Sequence, residues 1–454
     1  MSDATLPTDD GTTSDATRRR TIIRLGIVFG GLYFIQGILE PQEGMIYQPL
    51  MAMLTVLGLT TEGRGVFMSW VGFPWSFKPI YGLLSDFLPI AGYRRRSWLL
   101  LTGGAAVLGY GVTAFFPAAR TSTLVLLCCF ATANLALAFT DVIVDAAMVE
   151  TGQPLGITGR LQSIQWGCMY AAVALAKLAG GYLTTPNGQE LALLLCTAIG
   201  CGTLALTLWG VREPRYAIPP QDLGSALRAF GRAFQSPVIL LGGGFLFLLN
   251  FNPFTGEVLN AYETNELKFS PETIGHLSSL QAWAQMGASF LYATYCTRIR
   301  FPWLVHASVA FGILATVGYW GLHGTTSAVP IFLLTGFAYQ TATMIQLDLA
   351  ARVCPPQIAG TMFALLMALS NSGISASSYF GGWWYDALTR RHGTHVAFDL
   401  LVAIGAGFTA TCWVLVPGML RIAARHDAAH AVSGAAAALQ GSRQDPSPTD
   451  GNPI

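Results

Sequence analysis

Three groups of ionisable residues stand inside or beside long apolar runs, in types and spacings that could do chemistry. In SFKPIYGLLSDFLPIAGYRRRS (76–97), Lys78 lies beside Pro79 in an apolar segment, Asp86 follows, and Arg94, Arg95 and Arg96 close the stretch. In TDVIVDAAMVE (140–150), Asp141 and Asp145 are four residues apart, on one face of a helix, with Glu150 at its end. A lysine at the bilayer centre costs roughly 2.5–3.5 kcal/mol on insertion scales, so Lys78 is expected to face a protein interior and meet an anion. That anion is a substrate carboxylate, a helix-four aspartate when the site is empty, or a purely structural partner. Two ionised carboxylates on one buried face repel, which favours a proton on one of them and suits Asp141 and Asp145 to proton coupling. Either could equally be a counter-ion to Lys78 or Lys177. Asp86, at a helix end near Arg94, Arg95 and Arg96, can pair with arginines in only one of two rocking states, which would make it a conformational latch.

The elements that position these residues must be membrane helices. The chain has 454 residues, 52% hydrophobic and only 11% charged, where a soluble domain carries about 25% charged residues. A net charge of +1, with arginines in short patches, provides no field for nucleic acid. The eight cysteines lie mostly in apolar stretches without ligand-like spacing and read as packing residues, and no metal or cofactor is implied. Residues 1–20 are polar and expected to be a disordered cytoplasmic tail. The apolar run from Thr21 resembles a signal sequence, but ILEPQEG follows it where a small-residue cleavage site would stand, so it reads as a retained first span.

Apolar stretches of about 20 residues, the length a bilayer needs, recur at 22–41, 65–88, 97–116, 123–146, 161–183, 190–210, 237–261, 273–296, 302–321, 328–350, 360–386 and 396–420. The expected fold is therefore all-α, with twelve transmembrane helices. Placing the amino terminus in the cytoplasm puts eighteen of the 25 lysines and arginines on the inner side, so both termini are expected there, in a cell (inner) membrane. The longest inner connection, 211–236, divides the chain into six-helix bundles at 21–210 and 237–421, with 422–454 a second disordered tail. Within that connection Leu223, Leu227, Phe230 and Phe234 recur at helical spacing, which predicts a short amphipathic helix on the membrane surface or packed as a linker.

Internal repetition supports the division. TGRLQSIQWGCMYAAVALAKLAGGYL (158–183) and AGTMFALLMALSNSGISASSYFGGWW (359–384) share Gly159/Gly360 and the pairs Gly180-Gly181/Gly381-Gly382. GGLYFIQGILEP (30–41) likewise parallels GGFLFLLNFNP (243–253). Two parallel six-helix repeats joined by a long loop make a major facilitator architecture, with substrate held between the halves near mid-membrane. Polar residues at the prolines of corresponding helices mark the candidate cavity: Gln36, Glu40 and Gln42 around Pro41, and Asn250, Asn252 and Glu257 around Pro253. Gln281 and Trp283 on helix eight, and Asp348 on helix ten, extend the lining, and a flat aromatic ligand would suit amide donors with tryptophan stacking.

KPIYGLLSDFLPIAGYRRRSW, DVIVDAAMVE and LDLAARVCPPQIAGTMFALLMALSNSG together resemble the folate-biopterin transporter family of the major facilitators, over about residues 24–420. The resemblance implies uptake of folates, pterins or similar conjugates by proton symport, with Lys78, Asp86, Arg94, Arg95, Arg96, Asp141 and Asp145 in the functional core. The expected partners are a small-molecule substrate, protons and the lipid bilayer. The alternatives are a permease for another solute, such as a drug or peptidoglycan fragment, and a non-transporting assembly protein of the same fold. An enzyme is a poor reading: Asp141 and Asp145 have the D-x-x-x-D spacing of some diphosphate-binding sites, but a second acidic cluster is lacking.

Overall fold

In hydrocarbon a backbone must satisfy its own N–H and C=O groups, and a helix does so within one segment. The computed structural model is accordingly helical, with no strand among the described residues. It describes residues 11–152, 155, 157–213, 215, 224, 228, 231, 236, 239–295, 298–353 and 359–441. Among the described residues the expected spans fall largely on helix, the one at 237–261 being interrupted at 251–256. The first half holds α1 (Gly11–Leu39), α2 (Thr61–Gly72, then a 3-10 turn Phe73–Phe77, then Lys78–Phe87), α3 (Arg96–Phe115), α4 (Thr123–Gly152), α5 (Thr158–Tyr182) and α6 (Pro186–Gly210). The second holds α7 (Ile239–Asn250 and Glu257–Asn265), α8 (Pro271–Tyr295), α9 (Phe301–Val317), α10 (Thr325–Val353), α11 (Ala359–His392) and α12 (Thr394–Gly441). A short helix, Tyr47–Val56, joins α1 to α2 and was not expected. The expected linker helix, with Leu223, Leu227, Phe230 and Phe234, lies outside the described residues.

The halves repeat one packing scheme. α1 lies on α5 as α7 lies on α11, and α3 packs on α4 and α6 as α9 packs on α10 and α12. Between the halves α5 runs along α8 and α2 along α11. Seven helices, α1, α3, α4, α6, α9, α10 and α12, are long and apolar enough to cross a membrane by themselves. The remaining five include all four that form the seam between the halves. A helix shielded by its neighbours needs less apolar surface than one facing lipid, so small and polar residues concentrate there.

The two repeated glycine pairs have matching tasks. A Cβ on Gly180 would come 2.6 Å from the Met45 carbonyl, and one on Gly381 would come 2.1 Å from the Pro253 carbonyl, so the first glycine of each pair lets its own half's chain pass just beyond α1 or at the break in α7. The second faces the other half: a Cβ on Gly181 would sit 2.7 Å from the Pro271 carbonyl, and one on Gly382 would sit 2.5 Å from the Thr61 carbonyl. The Glu62 amide donates to Asp386 Oδ2 at 2.8 Å beside the second contact. These close approaches seal the halves together at the end of the bundles opposite the arginines, called here the distal end.

Both interrupted helices have their loose backbone groups answered. Pro79 lies in the first turn of Lys78–Phe87, where an amide proton would have no helical partner, so the helix restarts at Lys78 without losing a bond. Above that restart, Asn134 Nδ2 donates to the Val71 carbonyl at 2.6 Å, and Asn371 Nδ2 reaches across from the second half to the Trp75 carbonyl at 3.2 Å. In α7 the second segment starts after Gly256, whose φ of +60° and ψ of −119° only glycine adopts without strain. That turn makes Glu257 the first residue of the new helix.

Gly382→Val should therefore pry the distal seal open. A single cysteine at Ser378, in a cysteine-free background, is expected to react faster with a water-soluble maleimide in that variant, and the melting temperature to fall, with Gly382→Ala intermediate. Unchanged labelling would mean that this contact does not hold the seam.

Candidate functional site

The central charges of the first half meet across α1, α2 and α4. Lys78 Nζ lies 2.6 Å from Asp141 Oδ2 and 4.4 Å from the centre of the Trp75 ring. Gln36 Nε2 donates to the other oxygen, Asp141 Oδ1, at 2.9 Å. Asp141 is thus neutralised by a cation and oriented by an amide. One helical turn further along α4, Asp145 has a different environment: the Tyr33 hydroxyl and Gln165 Nε2, the latter at 3.2 Å, both donate to Oδ1. Its hydrogen-bond partners are neutral, so Asp145 can take up or release a proton without an ion pair breaking. Glu40, at the end of α1, lies within electrostatic reach of both Lys78 and Asp141.

The latch residues form a second cluster about two turns away. Asp86 Oδ1 accepts from Arg94 at 2.8 Å and from Arg95 at 2.6 Å. Arg95 also pairs with Glu150 at 2.7 Å and donates to Ser85 Oγ at 2.6 Å, and it is buried. Burial opposes its charge, but the hydrogen bonds it donates to Glu150 and the charges of Asp86 and Glu150 outweigh that and raise its pKa above the ordinary guanidinium value. Arg96 stands apart from the carboxylates: its guanidinium reaches the Leu208 carbonyl at 3.4 Å and lies over Tyr93. Of the three arginines, then, Arg94 and Arg95 hold Asp86. Glu213, just beyond α6, accepts from the backbone amides of Arg94, Arg95 and Arg96 at 2.9–3.1 Å, satisfying the free N–H groups that open α3.

α2 and α4 each contribute to both clusters. Lys78 and Asp86 are eight residues apart on one helical segment and Asp141 and Glu150 nine apart on another, or about 12–14 Å at 1.5 Å per residue. The two clusters are thus joined by continuous helix on both sides.

A cavity of about 250 Å³ opens in the second half near the distal end, roofed by the 42–48 segment. Asn250, Asn252 and Gln281 line it as expected. Asn250 Nδ2 donates to Gln346 Oε1 at 3.1 Å and Ser370 Oγ at 3.0 Å, and Gln281 Nε2 donates to the Tyr319 hydroxyl at 3.0 Å. Two other expected lining residues lie elsewhere. Trp283 is 42% exposed and does not line the cavity, because two residues along a helix from Gln281 is about 200° around it. Asp348 accepts from the Tyr292 hydroxyl at 3.3 Å, toward the arginine end of α10. Gln36, Glu40 and Lys78 belong to the central cluster and not to this cavity.

Several functional side chains were not legible beforehand. Tyr33 stands one turn before Gln36 on the same face of α1, a spacing that was available as a signal. Gln165, Glu213, Asn260 and Glu263 had none, since their partners or surroundings come from distant parts of the chain.

Two matching six-helix bundles, paired buried charges at their centre and a polar cavity define a membrane transporter with the major facilitator architecture. Solved structures agree on the fold: the nucleoside transporter NupG superposes with a TM-score of 0.66, covering 88% of this chain and 98% of its own at 14% identity. A D-xylose–proton symporter gives 0.65 over 87% and 98% at 12% identity. Residues 42–429 match the BT1 family, to which the chain belongs. The folate-biopterin transporter of Synechocystis sp. is 30% identical over 367 residues, 75% of this chain and 70% of that protein.

Removing one charge of the central pair should be worse than removing both. Asp141→Asn leaves the Lys78 ammonium buried without its counter-ion, at a cost of about 3–5 kcal/mol, and adding Lys78→Met should recover part of the loss, read as melting temperatures of purified protein. At the latch, Glu213→Ala should speed hydrogen exchange at the amides of residues 94–96 with little change in global stability.

Proposed function

We propose that this transporter carries folates, pterins or closely related conjugates by alternating access, coupled to protons, with both termini in the cytoplasm. The observation that carries the coupling is the division of labour in α4: Asp141 is held by Lys78, whereas Asp145 is held by the neutral donors Tyr33 and Gln165. A carboxylate of the second kind is suited to carry a proton, and one of the first kind to hold a cationic side chain until a substrate anion competes for it. Proton uptake at Asp145 removes its charge, weakens the hydrogen bonds it accepts from Tyr33 and Gln165, and loosens α4 against α1. Substrate carboxylate at Lys78 frees Asp141. Both events reach the latch through α4 and α2, where Asp86 and Glu150 release Arg95 and the arginine end of the bundle rearranges.

The substrate class is supported by the relative from Synechocystis sp., named a folate-biopterin transporter, and proton coupling by the fold shared with a proton symporter. The positive-inside distribution of arginines supports the orientation, which makes the sealed distal end the outer one.

Uptake of radiolabelled folic acid and pterin into cells lacking their own carrier tests the reading. Wild type is expected to accumulate one or both and to lose accumulation with a proton uncoupler. Lys78→Ala should abolish accumulation at unchanged expression. Asp145→Asn should abolish proton-driven accumulation but retain exchange of labelled for unlabelled substrate. Uptake of neither compound, with transport of a different solute, would overturn the substrate while sparing the fold.

A further inference from the structure

The distal cavity contains buried acceptors that the central network does not use. Glu257 and Glu263 are 2% and 3% exposed, and both line the cavity. Glu257 Oε2, Glu263 Oε1 and the Tyr47 hydroxyl, which also lines it, are buried without a hydrogen-bond partner. Buried polar atoms are almost always paired, so three unpaired ones around one hollow call for a ligand. Two cations stand nearby: Lys177, which lines the cavity, pairs there with Glu43, and Arg64, whose charge Glu257 feels, directs two guanidinium nitrogens to the hydroxyls of Thr61 and Thr55 while its Nε is also unpaired. Ser378 lines the same cavity as Glu257.

The walls restrict what can enter. Phe254, Tyr319 and Phe332 line the cavity and contact one another, with ring centres 5.1 Å apart for the first pair and 5.9 Å for the second. Aromatic walls offer a flat ring stacking and edge-to-face contacts over its whole area, and a flat ring fills a hollow of this size as a single ion would not. The volume of about 250 Å³ lies just under the roughly 300–1,000 Å³ of drug-sized sites, so it suits one fused ring system and not a whole conjugate. The occupant must therefore be planar, and its edge must present N–H donors to carboxylate.

We infer that the distal cavity is a recognition subsite for a 2-amino-4-oxo-pyrimidine edge, in which Glu257 accepts from the ring N–H and the adjacent exocyclic amino group and Glu263 and Tyr47 complete the polar rim. This rests on the substrate class proposed above and assigns the two ends of the conjugate: the heterocycle to the second half, the anionic tail toward Lys78 in the first. A carboxylate matches two adjacent N–H donors as it matches a guanidinium, through two parallel hydrogen bonds. The amides of Asn260 and Gln281 at the same cavity can serve the ring's acceptors.

Lumazine, the pteridine with oxygen in place of the 2-amino group, separates this from a merely structural role. Purified full-length protein in detergent is titrated calorimetrically with folic acid, pterin and lumazine. Wild type is expected to bind pterin at least about tenfold more tightly than lumazine, because a site built for a donor rejects an analogue lacking it. Glu257→Gln should bring that ratio close to one, and Glu263→Gln should lower it. If either variant does not fold, Glu257→Asp and Tyr47→Phe provide the same comparison, each expected to weaken pterin more than lumazine. Should wild type bind folic acid and pterin while the variants keep its pterin-to-lumazine ratio, the subsite is wrong and the transport reading stands. If wild type binds neither folic acid nor pterin, the substrate class fails first. A sodium-dependent rise in melting temperature that Glu257→Gln abolishes, with pterin affinity unchanged, would mark a cation site instead and overturn the inference.

Discussion

An ammonium group in a low-dielectric interior must have an anion at contact distance, and much of the first bundle is arranged around that requirement. Lys78 can meet Asp141 because α2 breaks at Phe73–Phe77 and restarts with the lysine at its first residue. Gln36 from α1 then fixes the aspartate, and Tyr33, a turn earlier, takes Asp145. Three helices are held in register by side chains that have no acceptable alternative inside the bundle. The same requirement makes the network sensitive to a change of charge: adding a proton or an anion alters which contacts are affordable.

The halves differ in how they use the shared scheme. Both have a broken helix whose loose backbone groups are met by amides and hydroxyls, and both use a glycine pair to pass one chain past another. The first half concentrates opposite charges at its centre. The second places two buried carboxylates, Glu257 and Glu263, around an aromatic-walled hollow. A ligand with one anionic end and one donor-rich end would find complementary halves, which is what a rocking carrier needs if binding is to draw its bundles together.

The latch shows how local and distant interactions combine. Asp86, Arg94 and Arg95 are neighbours in sequence and would meet in almost any helix-turn-helix geometry. Glu150 and Glu213 come from elsewhere and tie that turn to α4 and to the start of the connection between bundles. The latch therefore reports the position of α4, and not merely the shape of its own loop.

Composition, span length and the ordered glycine and proline repeats were sufficient, by themselves, to determine an all-helical membrane chain of two equivalent halves, because the cost of an unpaired backbone in lipid leaves few other architectures. That Lys78, Asp86, Asp141 and Asp145 would need partners inside the protein was also legible, since a charge in an apolar run is conspicuous without any structure. Glu257 beside Pro253 was marked by the same reasoning as Asn250 and Asn252, whereas the surroundings of Glu263, Tyr47, Gln165 and Glu213 were not. Each is an ordinary polar residue whose meaning depends on what lies across from it. Trp283 shows the converse, a residue of suitable type whose helix turns it out of the cavity. Only the tertiary packing decided which acceptors were satisfied, which faced a hollow and which arginine reached which acid, because contact distances between residues a hundred or more positions apart are set by how helices cross.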